Sequence, residues 1–329
     1  MFNDHETQKL KRKAWRQMLG ILLAILLVVF IIVNAIGLVA GNAFYKEFCV
    51  WHTRFDIERF QPLQATLAEG IATKHWQNVS LDSRLGYTLK GSYLPSPTPT
   101  KNTVIFVHGI AGSRLMGIWY APLYWNAGYN VLVYDSRASG ESGGESVTWG
   151  YYERYDLDQW VDWVEQHYPG GTIGIHGVSM GAATALMHAE MNESSHRVKF
   201  YIADSAYSDL EELLTQQIDT AVNLHSPVWV RLLLWYSSLA ANWQTGFRFQ
   251  DVSPLQAVKN ATTPILYLHG EADVLVPVRM CDELYTATKG YKQKYTFLKD
   301  AHTMAFFNHK AEYQQQVLNF IASLPKQQK

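Results

Sequence analysis

Residues 20–43 read GILLAILLVVFIIVNAIGLVAGNA, with no charge and only Asn34 and Asn42 strongly polar. Roughly 20 such residues at ~1.5 Å each match the ~30 Å hydrocarbon thickness of a bilayer, whereas a signal-peptide apolar core runs to only ~7–15. The pattern therefore predicts an uncleaved transmembrane signal anchor. Gly41 and Ala43 leave small residues where a peptidase could cut, and cleavage is the alternative. Lys9, Lys11, Arg12, Lys13 and Arg16 precede the run, while only Lys46 and Arg54 closely follow it. By the positive-inside rule, residues 1–19 form a cytoplasmic tail and the remainder faces outward.

Residues 44–76 alternate charged and aromatic side chains at helical spacing, as in WHTRFDIERF, and read as a juxtamembrane helical connector. NVSLDSRLGYTLKGSYLP then predicts a strand pair turning near residues 84–86. From there short apolar runs alternate with helix-length segments. TVIFVHG, NVLVYD, GTIGIHG, VKFYIADS, TPILYLHG and QKYTFL are the expected strands. Near-continuous apolar strands separated by helices predict a mostly parallel, doubly wound α/β sheet covered on both faces. Residues 209–249 interrupt the alternation with a stretch too long for a crossover and too apolar for a solvated loop, read as a small helical cap.

Composition narrows the class. The chain has 329 residues, 48% hydrophobic, with a formal net charge of −1. That balance offers no electrostatic steering toward nucleic acid. The first 19 residues carry +3 and leave the rest at −4, as in a mildly acidic soluble domain. The two cysteines, Cys49 and Cys281, lack metal-ligand spacing. Two unpaired, partly buried thiols are expected, with one disulfide as the alternative.

Gly177-Val178-Ser179-Met180-Gly181 follows the strand GTIGIH and opens the helix-like AATALMHAEM. GxSxG by itself is a weak pattern; its place between strand and helix carries the inference. A turn that tight excludes side chains at the flanking glycines, and it holds Ser179 exposed at a helix N-terminus, where developing negative charge is favoured. A serine hydroxyl needs a base within hydrogen-bond reach and a third group to orient that base. Asp273 after TPILYLHG and His302 after the last strand stand at strand carboxyl ends, where open α/β sheets build their sites. Asp204 is the rival acid, and Asp135 reads as a pairing partner for Arg137. His176 and His269 read as hydrogen-bonded structural groups. An oxyanion requires two backbone donors, assigned to the N–H groups of Met180 and of Ile110 in the loop HGIAGS.

Taken together, FVHGIAGSR, YDSRASGESGGE, GVSMGAAT, ADSAYSDL, SPLQAVKN, LHGEADVLVPVRM and DAHTMAF resemble the α/β-hydrolase superfamily. Within it, the chain looks like the bacterial membrane-anchored serine hydrolases of the serine-aminopeptidase-like and prolyl-oligopeptidase-like branch. The resemblance covers residues 79–324 and implies Ser179 as nucleophile, Asp273 as acid and His302 as base. One departure is Ala138, which stands where the family turn has its first glycine. The expected organisation is an α/β-hydrolase domain over residues 77–329, with the cap inserted at 209–249. The expected activity is hydrolysis of an ester-like acyl bond in a small-molecule substrate whose acyl group can be hydrophobic, through an acyl-enzyme and without cofactor or metal. A peptidase and a membrane-tethered non-catalytic binding protein are the alternatives.

Overall fold

The computed structural model describes residues 4–51, 61–73, 75–222 and 226–324. Eight strands form one sheet: β1 (Gln77–Asp82), β2 (Thr88–Leu94), β3 (Thr103–Val107), β4 (Asn130–Tyr134), β5 (Ile173–Val178), β6 (Val198–Asp204), β7 (Ile265–Gly270) and β8 (Lys292–Phe297). Their spatial order is β1-β2-β4-β3-β5-β6-β7-β8. The β1–β2 and β2–β4 pairs are antiparallel and every other pair is parallel.

The helices are α1 (Asp4–Lys46), α2 (Gln61–Ala72), α3 (Arg114–Trp125), α4 (Glu153–His167), α5 (Met180–Asn192), α6 (Leu210–Val222), α7 (Pro227–Thr245), α8 (Pro254–Val258), α9 (Val278–Ala287), α10 (Ala305–Asn308) and α11 (Lys310–Ser323). Of the expected connector, a π-helical turn Glu47–Trp51 prolongs α1, and residues 52–60 lie outside the described residues.

The parallel strands are apolar at consecutive positions because both of their faces are covered. Val104 and Phe106 of β3, with Val131 and Val133 of β4, point into a core shared with α3 and α11. The alternate residues Ile105, Val107, Leu132 and Tyr134 point into a second core, where Leu157 and Trp160 of α4 and Leu186 of α5 pack. Strand period two thus sorts one hydrophobic run into two cores. The lysines of edge strand β8 oppose edge-to-edge association, Lys294 pairing with Asp282 at 2.5 Å.

A third apolar cluster lies beyond the carboxyl ends of the strands. There Leu210, Leu213, Leu214 and Ile218 of α6 meet Val230 and Leu234 of α7, together with Tyr45, Cys49 and Met180. The spacing along α6 is that of one helical face, so the two helices cover the sheet edge with their apolar sides. Cys49 and Cys281 are both buried and both free, so the disulfide alternative is not realised.

Candidate active site

The close approach of strand and helix at Ser179 depends on two glycines. A Cβ on Gly177 would fall 2.6 Å from the Cα of Ala182, and one on Gly181 would fall 2.6 Å from the carbonyl oxygen of His108. Ser179 between them takes φ 55° and ψ −119°, a left-handed conformation that costs a non-glycine residue about 1–3 kcal/mol. Its N–H donates to the carbonyl of Asp204 at 2.8 Å, which ties the turn to the neighbouring strand end. Ala111, Ser205 and Thr303 also have φ between 56° and 59°, so left-handed turns surround the same edge. Thr303 donates its N–H to Ser205 Oγ at 3.3 Å, linking the loop after β8 to the end of β6.

The structure brings together the three side chains singled out from the sequence. His302 Nε2 lies 2.9 Å from Ser179 Oγ, and His302 Nδ1 lies 2.6 Å from Asp273 Oδ2. An ionised carboxylate only accepts, so Nδ1 carries the proton and Nε2 presents its lone pair to the hydroxyl. The other carboxylate oxygen, Oδ1, accepts the N–H groups of Leu275 at 2.9 Å and Val276 at 2.8 Å. Burial by itself would raise the Asp273 carboxyl. Hydrogen bonds from His269 and His302 and the charge of His302 outweigh it and hold the group at about 2.

His269 is the hydrogen-bonded structural group expected of it, and it also flanks the Asp273 carboxylate. Its Nε2 donates to the carbonyl of Val276 at 2.8 Å and lies 3.4 Å from Asp273 Oδ2. The carboxylate is therefore flanked by two imidazoles. Burial pushes the His269 imidazole down, yet Asp273 beside it raises it above its ordinary range. The four-residue spacing of His269 and Asp273 was the available signal.

The remaining residues fall into place around this edge. Asp204 lies beneath Ser179 and is fully buried. Its Oδ2 accepts from Tyr313 at 2.8 Å and its Oδ1 from Ser205 at 2.9 Å, and burial raises its carboxyl. His302 bonds to Asp273, not to Asp204. His176 is held between the hydroxyls of Tyr124 at 2.6 Å and Tyr313 at 3.0 Å, and burial pushes it down to about 3.

Met180 opens α5 directly after Ser179, and Ile110 lies on the loop after β3. A Cβ added to Gly109 would sit 3.2 Å from the Cβ of Ser179, which shows how closely that loop approaches the hydroxyl. His108 fixes the loop from below. It accepts the N–H of Ser136 on Nε2 at 3.0 Å and so donates from Nδ1 to the Gly109 carbonyl at 2.7 Å.

The expected pairing of Asp135 with Arg137 is corrected. The Asp135 carboxylate faces the start of α3, where it accepts the Arg114 N–H at 2.7 Å and pairs with the Arg114 guanidinium. A helix N-terminus has unpaired N–H groups and a positive dipole end, so the carboxylate is better satisfied there. Arg137 instead lies over the rings of Tyr87 and Tyr152, 5.3 and 5.0 Å from their centroids. A polar cleft with Glu165, Arg197 and Lys199 lies near the amino ends of β5 and β6, remote from the chemistry.

With fold and site in view, the chain can be placed among known proteins. A family model for the alpha/beta hydrolase fold matches residues 102–227. The uncharacterized protein YqkD of Bacillus subtilis is 34% identical over 245 residues, 74% of this chain and 78% of that one. Lysophosphatidylserine lipase ABHD12 of Macaca fascicularis is 25% identical over 187 residues, 56% of this chain and 44% of the lipase, so the match spans less than half of that protein. Among solved structures, the Pyrococcus furiosus esterase Pf2001 superposes with a TM-score of 0.62 at 23% identity, covering 78% of this chain and 94% of the esterase. This chain belongs to the α/β-hydrolase superfamily.

Proposed function

We propose that the protein is a serine hydrolase that cleaves an ester-like acyl bond, a carboxylesterase type, held on a membrane by α1. The carrying observation is the unbroken hydrogen-bonded line from Ser179 Oγ through His302 to Asp273. His302 Nε2 takes the serine proton as Oγ attacks the carbonyl carbon, and Asp273 stabilises the imidazolium that forms. The N–H groups of Met180 and Ile110 receive the oxyanion, a contribution of about 2.7–4 kcal/mol for each such donor. His302 returns the proton to the leaving oxygen, and water then releases the acyl group from Ser179.

An ester is favoured over a peptide by the sequence relative that is a lysophosphatidylserine lipase by name. A fluorophosphonate probe should label the wild-type chain and leave Ser179→Ala unlabelled; absence of wild-type labelling would leave the tethered binding protein as the better reading. Faster turnover of aminoacyl nitroanilides than of nitrophenyl esters would reverse the preference for an ester.

The anchoring reading rests on α1, whose apolar stretch is exposed throughout residues 21–33. Residues 1–19 then form the cytoplasmic tail, 20–43 the span and 44–76 the connector, with the hydrolase domain over 77–329 and its 209–249 cap outside. Protease added to intact cells should degrade the hydrolase domain; full protection would reverse the orientation.

A further inference from the structure

Helix α7 has two faces with opposite relations to the molecule. Its inner face closes the cluster beside Met180 through Val230 and Leu234. Its outer face leaves Val228, Trp229, Trp235, Leu239 and Trp243 uncovered, Val228 at 71% and Trp243 at 89% exposure. In water such a stripe forfeits the hydrophobic gain of covering it, and contiguous exposed apolar surface marks an interaction site. Arg231 is the single charge in the nineteen residues of this helix.

What covers the stripe follows from how α7 meets α1. Tyr236 is 5% exposed and packs on the glycine face of α1, where a Cβ on Gly41 would fall 2.6 Å from its own Cβ. A methyl on Gly37 would overlap the Tyr236 ring. Small residues four apart let two helices approach this closely. Tyr236 donates to Asn34 Oδ1 at 2.9 Å, and two turns later Gln244 donates to Asn42 Oδ1 at 2.8 Å. The partners advance together along both chains, so the two helices run in the same sense.

Asn34 is one of two strongly polar residues in the apolar run, with Asn42, and lies nine positions before its end at Ala43. At ~1.5 Å per residue its carboxamide lies roughly 13 Å inside the run. In hydrocarbon an unpaired amide costs several kcal/mol. Asn34 is satisfied by the Phe30 carbonyl at 2.7 Å and by Tyr236. Because the helices run in the same sense, Val228, Trp229 and Trp235 lie on the side of Tyr236 that leads further into the run. By the same register Trp243 is level with Gly41 near the end of the run, at the membrane boundary where tryptophan is favoured.

We infer that α7 is a second membrane element: it enters the bilayer from the leaflet at the C-terminal end of the α1 span and runs alongside that span, with its tryptophan stripe in lipid. The cap then rests on the bilayer, and the site beneath it receives its substrate, a membrane-resident acyl lipid, from that leaflet. The substrate statement rests on the hydrolase reading; the seating of α7 rests on α1 being the membrane span, on the contacts with α1 and on the exposed stripe.

The test uses the full chain reconstituted in phosphatidylcholine vesicles. An environment-sensitive fluorophore is attached at Val228→Cys or Trp243→Cys, with Leu85→Cys as the control site on the hydrolase domain. The unsubstituted chain serves as the blank for its two buried thiols. The fluorophore at 228 and 243 should be quenched by nitroxide-bearing lipid and shielded from aqueous iodide, opposite to position 85. Iodide quenching at 228 and 243 equal to that at 85 overturns the seating.

The substrate statement is tested with Trp229→Ser/Trp235→Ser/Trp243→Ser. Turnover of a long-chain acyl ester embedded in vesicles should fall at least about tenfold, while labelling by a soluble fluorophosphonate and turnover of a short nitrophenyl ester stay unchanged. Equal loss on both substrates, or loss on neither, overturns it. Lipid quenching at Val228→Cys and Trp243→Cys, together with a wild-type chain that takes no fluorophosphonate, would sink the hydrolase reading and leave the seating intact.

Discussion

Replacing Asp273 by Asn keeps the size of the side chain and changes only its charge and its hydrogen-bond sense. In the native site Oδ1 is held by the amides of Leu275 and Val276, so an asparagine oxygen would stay there. Its NH2 would then face His302 Nδ1, where the carboxylate now accepts at 2.6 Å. Two donors cannot face one another, so the imidazole moves its proton to Nε2 and can no longer accept from Ser179. Loss of the correct tautomer in such a triad lowers kcat by about 10⁴, or roughly 5.5 kcal/mol of barrier.

Stability changes too. The folded carboxyl sits at about 2 against an ordinary 3.8, so the carboxylate stabilises the fold above about pH 4, and that contribution is lost as pH falls through 2. At about 1.4 kcal/mol per unit the native charge contributes on the order of 2 kcal/mol at neutral pH. The assay pairs the rate of fluorophosphonate labelling with urea unfolding of the detergent-solubilised chain at pH 7 and pH 3. The variant should label about 10³–10⁴ times more slowly and show a smaller drop in stability between the two pH values. Labelling within about tenfold of wild type, with the same acid-side loss of stability, would refute the reasoning.

Three further outcomes follow from the structure. Ser179→Gly removes the hydroxyl proposed as nucleophile and relieves a φ of 55°, so fluorophosphonate labelling should vanish while stability rises by up to about 1 kcal/mol, read from the unfolding midpoint. Ala138 takes φ 54° with its N–H on the Gly143 carbonyl at 2.8 Å. Ala138→Gly should therefore be neutral to stabilising by about 1 kcal/mol, the left-handed cost outweighing the extra unfolded-state freedom; destabilisation in the same unfolding experiment would contradict this. His269→Phe keeps a ring beside Asp273 and removes its donor, so the carboxyl should rise toward 3.8 and acid-induced loss of stability should begin at higher pH than in wild type. An unchanged acid limb would show that His269 does not hold the charge.

The sequence by itself determined the class of fold and the order of the parts. Consecutive apolar residues in β3 and β4 identify strands buried on both faces, because only a covered parallel sheet tolerates them. The glycines at 177 and 181 reveal a turn too tight for any side chain, and Asp273 and His302 stand where strands end. These are local signals, set by sterics and by strand or helix period.

Tertiary structure decided every pairing between distant residues. Asp135 found Arg114 rather than Arg137 because the carboxylate points at a helix start that comes 21 positions earlier. His269 stood four residues from Asp273, yet its place beside the carboxylate depends on how β7 and the following loop fold back. Asn34 and Tyr236 meet across 202 positions, and nothing local to either residue announces the other. Periodicity reports which side of an element is buried; which partner covers that side is decided only when separate elements pack.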